Sequence, residues 1–251
     1  MSASNARAIR RSWPQSLPPN FTLMTPDFGD QLSVSQLRFV VDALLDGAVV
    51  FLMSDCSWAA VADPRHAGGV ALLDRLLDHE GHPIPVTVAD EALSASVIRF
   101  DEAVRVLTGK FWPGGLGIKT RPATRLARRI SKRLHSGGSG VVVRMSRSII
   151  ERQISATARL PITSAALREG GALVTDAAHA LDVVVRLVEE RAPLGRVIFI
   201  VDRRQRVTLR DHSTMIMLDH GVRPLRHGSV DVSDVQRALL SNDGVDWSDA
   251  T

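Results

Sequence analysis

FDEAVRVLTGKFWPGGLGI, residues 100–118, holds two kinds of order side by side. Phe100 to Leu107 reads as a helix with Val104 and Leu107 on one side. Leu116 to Ile118, beyond Trp112-Pro113-Gly114-Gly115, begins a strand. The same alternation runs outward in both directions. Upstream, Ser33 to Leu45 places Val34, Leu37, Val40, Val41, Leu44 and Leu45 at helical spacing, with Ser33 as N-cap and Gly47 at the end. Ala48 to Met53 is then a short apolar strand, Gly69 to Leu77 a helix and Ile84 to Ala89 a strand. Downstream come a strand at Val141 to Arg144, helices at Ile149 to Ala158 and Ala177 to Arg191, strands at Val197 to Val201 and Thr214 to Leu218, and a closing helix at Val232 to Leu240. Helices and strands that interleave without internal repeats argue an α/β sheet rather than a bundle or a sandwich. The expected organisation is one domain over 33–240, a disordered or loosely ordered tail over 1–32, and an acidic tail over 241–251.

The chain has 251 residues, 45% of them hydrophobic and 23% charged, which is globular composition. One cysteine, Cys56, excludes a disulfide framework and a cysteine zinc site. No apolar run approaches the roughly 18 residues of a membrane span. Arg7, Arg10 and Arg11 are followed by no apolar core, so no secretory signal is read, and the protein is expected in the cytoplasm. The net charge of +4 is unevenly spread. Eleven of the 31 Lys and Arg lie between Ala103 and Ile150, a stretch with no acid, which leaves 20 bases against all 27 acids elsewhere. Within it, Leu126, Ile130 and Leu134 form one narrow apolar stripe of a helix expected over 125–134. Arg125, Arg128, Arg129, Lys132 and Arg133 take the remaining surface. Such a basic segment suits a phosphate-bearing partner, or else a solvated face.

Generic chemistry is sparse. There is no Walker loop, no dinucleotide fingerprint after a strand and no paired-histidine metal helix. His79 and His82, with Glu80 between them, suit a solvated turn before Pro83 better than a metal. Cys56 has no base near it in sequence and reads as a packed thiol. No metal site and no catalytic side chain is singled out.

Five stretches, in order, resemble the YrdC-type threonylcarbamoyl-AMP synthase family. LLDGAVVFLMSDCSWAAVAD (Leu44 to Asp63) is similar to its opening "GG-VVxYPTDTVYGLG". KFWPGGLGI (Lys110 to Ile118) is similar to "FWPGPLT", and GVVVRMS (Gly140 to Ser146) to the "VxVRxP" strand. LPITSAALREGG (Leu160 to Gly171) stands where the family has "PLxxxSAN-SG". HSTMIML (His212 to Leu218) with PLRHG (Pro224 to Gly228) resembles "STVVD … ILR-G". The resemblance spans roughly Val34 to Leu240. It implies an open twisted mixed sheet with a large concave basic cavity. In that cavity ATP, with a divalent cation such as Mg, would meet bicarbonate and threonine or another amino acid. The implied product is an aminoacyl-carbamoyl adenylate, made with loss of pyrophosphate and linked to tRNA modification. Both steps build negative charge, which positioned cations and hydrogen-bond donors stabilise.

Residue by residue, the resemblance implies an amino-acid pocket at Ser54, Asp55, Cys56 and Trp58. It implies nucleotide contacts at Arg144, Ser164, Ser213, Thr214 and Arg226. The departures are specific. Glu80 and His82 stand nearest the family's Lys-x-Arg-Pro cations, Ala166 replaces the amide of Ser-Ala-Asn, and Arg168-Glu169 replaces the following Ser-Gly. Two readings therefore compete. One is a divergent nucleotidyltransferase forming a threonylcarbamoyl-AMP-like adenylate. The other is a catalytically degenerate module that binds nucleotide or RNA without turnover, or that serves as a partner of tRNA-modification proteins. Residues 125–134 form a candidate phosphate patch for tRNA or double-stranded RNA. Aromatic content of 4% with no tyrosine favours phosphate contacts there over base stacking.

Overall fold

The computed structural model describes residues 16–77, 84–123, 129–135, 140–192, 194–201, 211–219 and 221–241. The histidine and glutamate positions 79, 80 and 82, the arginines at 125 and 128, and the terminal segments 1–15 and 242–251 lie outside them. The first helix, α1 (Val34–Leu45), starts in a capping box. Gln36 N donates to Ser33 Oγ at 3.4 Å, and Ser33 N donates to Gln36 Oε1 at 3.1 Å. The chain leaves the helix at Gly47, whose φ of 89° suits glycine.

It then enters β2 (Val49–Met53), a strand buried along its whole length. Val49, Phe51 and Met53 face the larger of two apolar cores. Val50 and Leu52 face the smaller, beside Val40, Leu44, Ile150 and Ile154. Period-2 alternation thus feeds two layers from one apolar run, as expected for a strand covered on both faces.

The sheet system is mixed. Five strands lie in the order β1 (Phe21–Met24), β11 (Val197–Ile200), β2, β3 (Trp58–Val61), β8 (Ala165–Ala166). Six more lie in the order β13 (Gly221–Arg226), β12 (Thr214–Asp219), β5 (Leu116–Lys119), β6 (Val143–Arg144), β4 (Val86–Thr87), β7 (Ile162–Thr163). A hairpin pairs β9 (Arg168–Glu169) with β10 (Ala172–Leu173). The chain passes from the six-stranded sheet to the five-stranded one through a single residue, Ser164, because β7 pairs with β4 while β8 pairs with β3.

The remaining helices are α2 (Ala67–Leu77), α3 (Glu91–Ala95), α4 (Glu102–Phe111), α5 (Ile149–Ala158), α6 (Ala177–Arg191) and α7 (Val232–Leu240). Asp101, Ser148, Asp176 and Asp231 cap α4, α5, α6 and α7 with their side chains. The α/β class and the twisted mixed sheet agree with the sequence reading.

Two expectations are corrected. Residues 1–32 are not loose throughout, since Phe21–Met24 is an edge strand paired in parallel with Val197–Ile200. The basic segment is not one helix to Leu134. Arg129 is helical, Ile130 and Ser131 are not, and Lys132–Leu134 is a short 3-10 turn capped by Ser131, whose backbone N–H donates to Pro64 O at 2.8 Å. Ile130 and Leu134 still reach the core, so the apolar stripe reports burial correctly while the backbone bends to achieve it.

Candidate functional site

The turn from β2 to β3 brings Ser54, Asp55, Cys56 and Ser57 to the junction of the two large sheets, closed by Ser54 N donating to Ser57 O at 2.9 Å. Arg144 at the end of β6 meets it from the other sheet. Their side chains are 3% and 0% exposed, and the guanidinium forms an ion pair with Asp55. Arg144 Nη2 also lies 3.3 Å from Ser54 Oγ, and Arg147 N donates to Asp55 Oδ2 at 3.3 Å. Burial opposes the charge of Arg144, but Asp55 and Glu151 more than offset it, so the guanidinium stays firmly protonated.

Glu151 sits in the first turn of α5 and is fully buried. Its Oε2 accepts from Ser54 Oγ at 2.9 Å and its Oε1 from Ser164 Oγ at 2.6 Å. Burial pushes its carboxyl up from the usual range; Arg144 pulls it down and Asp55 adds to the rise.

A third group faces these from β12 and β13. Arg226 Nε donates to Ser213 O at 3.0 Å and Nη2 to Ser213 Oγ at 2.8 Å. Gly228 makes this possible, because a Cβ there would lie 2.2 Å from His212 O and 2.8 Å from Thr214 N. Arg226 is pushed down to about 10, chiefly by burial, with Arg144 and Arg168 repelling it and Cys56 opposing. His212 is also pushed down, by burial first and then by Arg226. Among the described residues no carboxylate forms an ion pair with Arg226 or Arg168.

Among these residues lies a narrow cleft, whose lining includes Ser54, Cys56, Arg144 and Ser164 together with Arg168, His212, Ser213 and Arg226. The cleft therefore gathers six of the residues expected at a site: Ser54, Cys56, Arg144, Ser164, Ser213 and Arg226. Asp55 lies just behind it, held by Arg144.

Two expected site residues are elsewhere. Trp58 is fully buried and stacked on Phe199, with ring centroids 4.4 Å apart; in β3 it alternates with Ser57 and Ala59, which do reach the cleft. Thr214 is fully buried and its hydroxyl is used twice by Val230, donating to the carbonyl at 2.6 Å and accepting from the N–H at 3.0 Å. Cys56 is a packed thiol pushed up mainly by burial, not an activated nucleophile.

Of the basic patch, Arg129 and Lys132 are exposed, while Arg133 Nε pairs with Asp74 Oδ2 at 2.8 Å. Sequence reading missed Glu151, Arg168 and His212 as site residues. Glu151 looked like an ordinary first-turn acid, and Arg168 like a mere departure from a motif.

Among the described residues no group of three or more His, Cys, Asp or Glu side chains is placed to hold a metal ion, and no helix is long and apolar enough to cross a membrane. The site offers cations and hydroxyls, a donor set for an anion such as a phosphate.

Comparison with known proteins agrees with the fold. A family model for Sua5, YciO and YrdC, described as telomere recombination, matches residues 42–228. P. abyssi Sua5 complexed with L-threonine superposes with a TM-score of 0.68 at 17% identity, over 87% of this chain and 60% of that one. E. coli YciO gives 0.63 at 17% identity, over 84% of this chain and 97% of that one. Full-length HypF in its phosphate- and nucleotide-bound form gives 0.58 at 14% identity, over 79% of this chain and 30% of that one. The chain thus spans about three-fifths of P. abyssi Sua5 and nearly the whole of YciO. No curated protein matches the sequence.

Proposed function

This chain belongs to the Sua5/YciO/YrdC family, and from that premise we propose that its cleft binds an adenine nucleotide and an amino acid in a reaction linked to tRNA modification. The observation that carries this reading is Arg226. It is a half-buried guanidinium that lines the cleft with Arg168 and has no ion-pair partner among the described residues, its two side-chain bonds going to Ser213 O and Oγ. A phosphate in the cleft supplies that partner.

The reaction is the formation of a threonylcarbamoyl-AMP-like adenylate. The amine of the amino acid takes up the carbon of bicarbonate with loss of water. A carbamate oxygen then attacks the α-phosphorus of ATP, and the bond to pyrophosphate breaks. Arg226 and Arg168 meet the negative charge that develops on the phosphates, while the hydroxyls of Ser54 and Ser164 orient the amino acid. A divalent ion on the triphosphate would add charge neutralisation. The described residues offer it no protein ligand cluster, so the phosphates would hold it.

The experiment is a pyrophosphate-release assay with ATP, bicarbonate and a panel of amino acids, run beside ATP binding by calorimetry. Release with at least one amino acid supports the enzyme. ATP affinity weaker than millimolar, with no release from any amino acid, refutes it.

One observation favours a second reading, a nucleotide- or RNA-binding module without turnover. Arg144 directs its charge at Asp55 and Glu151 instead of at the open cleft. ATP binding without pyrophosphate release is its signature. Steeply salt-dependent tRNA binding, lost when Arg125, Arg128, Arg129, Lys132 and Arg133 are neutralised, would assign the basic patch to RNA backbone.

A further inference from the structure

Glu151 has no counterpart among the residues that the sequence reading brought to the site, yet it touches both hydroxyls of one cleft wall. A hydroxyl has a single hydrogen. Ser164 gives its hydrogen to Glu151 Oε1 at 2.6 Å, and Ser54 gives its own to Glu151 Oε2 at 2.9 Å. The alternative acceptor for Ser54, Asp55 Oδ1 at 3.2 Å, is another carboxylate behind the wall. Both serines line the cleft; Ser54 Oγ accepts from Arg144 Nη2 at 3.3 Å with one lone pair, so each serine has a lone pair to offer the cleft. Behind them stand two carboxylates, Asp55 from the β2–β3 turn and Glu151 from α5, against one guanidinium, Arg144 from β6. The thiol of Cys56 is the other titratable group on this wall. Elsewhere in the cleft lining Arg168 and Arg226 donate, while His212 turns Nδ1 to Asp211 Oδ1 at 2.6 Å.

We propose that Glu151 is a positioning residue that sets the hydrogen-bond polarity of Ser54 and Ser164, so that the two hydroxyls receive an N–H-bearing group and phosphate is left to the guanidinium groups of Arg168 and Arg226. This rests on the reading that the cleft takes an amino acid beside a nucleotide, and it assigns the α-amine to the two serines. A phosphate oxygen, with no hydrogen to give, finds lone pairs there and a surplus of carboxylate behind them. The polarity is also conditional. A protonated Glu151 carries an O–H of its own; given to Ser54 or Ser164 in preference to Ser146, it frees that serine's hydrogen to turn into the cleft. Selection for an amine therefore strengthens as pH rises and Glu151 ionises; its raised carboxyl brings that change nearer neutrality.

The test compares L-threonine with 3-hydroxybutyrate, which lacks the α-amine, and uses pyrophosphate as the anion probe. Each is titrated into the full chain and into Glu151→Gln. The carboxamide has one accepting atom and two N–H donors, so one of the two serines must reverse. The wild-type protein is expected to prefer L-threonine by at least about 10-fold, increasingly so at higher pH. Glu151→Gln is expected to bring that preference to about 3-fold or less and to flatten its pH profile, with pyrophosphate affinity within about 2-fold. Ser164→Ala and Ser54→Ala, each removing one acceptor, give the same direction if Glu151→Gln does not fold.

An unchanged preference and pH profile in Glu151→Gln, or in both serine variants, overturns the proposal, as does a wild-type protein that binds both compounds equally. Loss of pyrophosphate binding alone, with threonine preference intact, counts against the nucleotide reading and leaves the assignment of Glu151 standing.

Discussion

Replacing Asp55 by asparagine removes the direct partner of a buried guanidinium. Breaking such a pair by deleting one charge generally costs about 3–5 kcal/mol. Here the loss is expected to be smaller, because Arg144 keeps a second carboxylate in range. Glu151 is held up by burial and by the charge of Asp55, while Arg144 pulls it down. Asp55→Asn takes away one raising influence and leaves both burial and the lowering pull of Arg144, so Glu151 shifts toward its ionised form and takes over part of the pairing, and the expected cost is about 2 kcal/mol. Glu151→Gln alone leaves the Arg144–Asp55 pair intact and disturbs the bonds to Ser54 and Ser164, for about 1 kcal/mol. The double variant leaves Arg144 buried with neither carboxylate. It is expected to cost about 5 kcal/mol, a coupling of about 2 kcal/mol beyond the sum. Urea unfolding of the four proteins at one pH, with slopes compared, measures this cycle. The pH dependence gives a second readout. A carboxyl raised above 4.5 in the native state makes the folded protein bind its proton more tightly than the unfolded chain does. Stability is then greatest below about 4.5 and falls as pH rises through the raised value. That fall should shrink in Asp55→Asn and vanish in Glu151→Gln. If the double variant lies within about 0.5 kcal/mol of the sum of the singles, the two carboxylates do not share Arg144, and the reasoning fails.

Trp58→Ala should cost about 3–5 kcal/mol, seen as a lower Tm, because it empties a core site against Phe199; the intrinsic threonine preference of the folded fraction should not change. Thr214→Val should destabilise by about 1–3 kcal/mol in urea unfolding, since it leaves the N–H and C=O of Val230 without their partner, while pyrophosphate affinity stays put. Arg226→Met should weaken pyrophosphate binding by about 10- to 100-fold in calorimetry. In the wild-type protein the same affinity should fall as pH rises through about 10, where the guanidinium loses its proton and with it the attraction for an anion.

The long elements were legible because local pattern and burial coincide in them. Ile149–Ala158, Ala177–Arg191 and Val232–Leu240 are read from apolar spacing and found with those bounds. Phe21–Met24 was not, because four residues between prolines carry too little periodicity to declare a strand whose partner lies at Val197–Ile200. The two-residue strands around Ser164 were invisible for the same reason, yet they carry the chain between sheets. Trp58 shows a finer failure. The family resemblance located its segment, but a strand turns alternate residues to opposite faces, and one step of register separates the cleft from the core. At the 125–134 segment the spacing of Ile130 and Leu134 reported which side chains are buried. It did not report whether the backbone hydrogen bonds continue between them. Glu151 was beyond local reading, because the two cleft hydroxyls it accepts from lie 97 and 13 residues away.

Arg168 marks where departure from the family pattern changes the site's electrostatics. In sequence, Arg168-Glu169 in place of Ser-Gly looks like loss. In the structure Arg168 lines the cleft together with Arg226, and Glu169 ties the hairpin to α6 through Arg186 and through His179 Nε2 at 2.6 Å. The cleft lining thus has two guanidinium groups without carboxylate partners among the described residues. Behind Ser54 and Ser164, Asp55 and Glu151, once ionised, outnumber Arg144. On the proposed assignment a ligand with unlike ends is oriented: a cationic or N–H-bearing end turns to Ser54 and Ser164, and a phosphate turns to Arg168 and Arg226. A ligand with two anionic ends gains at the guanidinium groups and is repelled at the serines. Under that assignment the cleft selects two-ended ligands, and Glu151 is the residue on which the sign of one end depends.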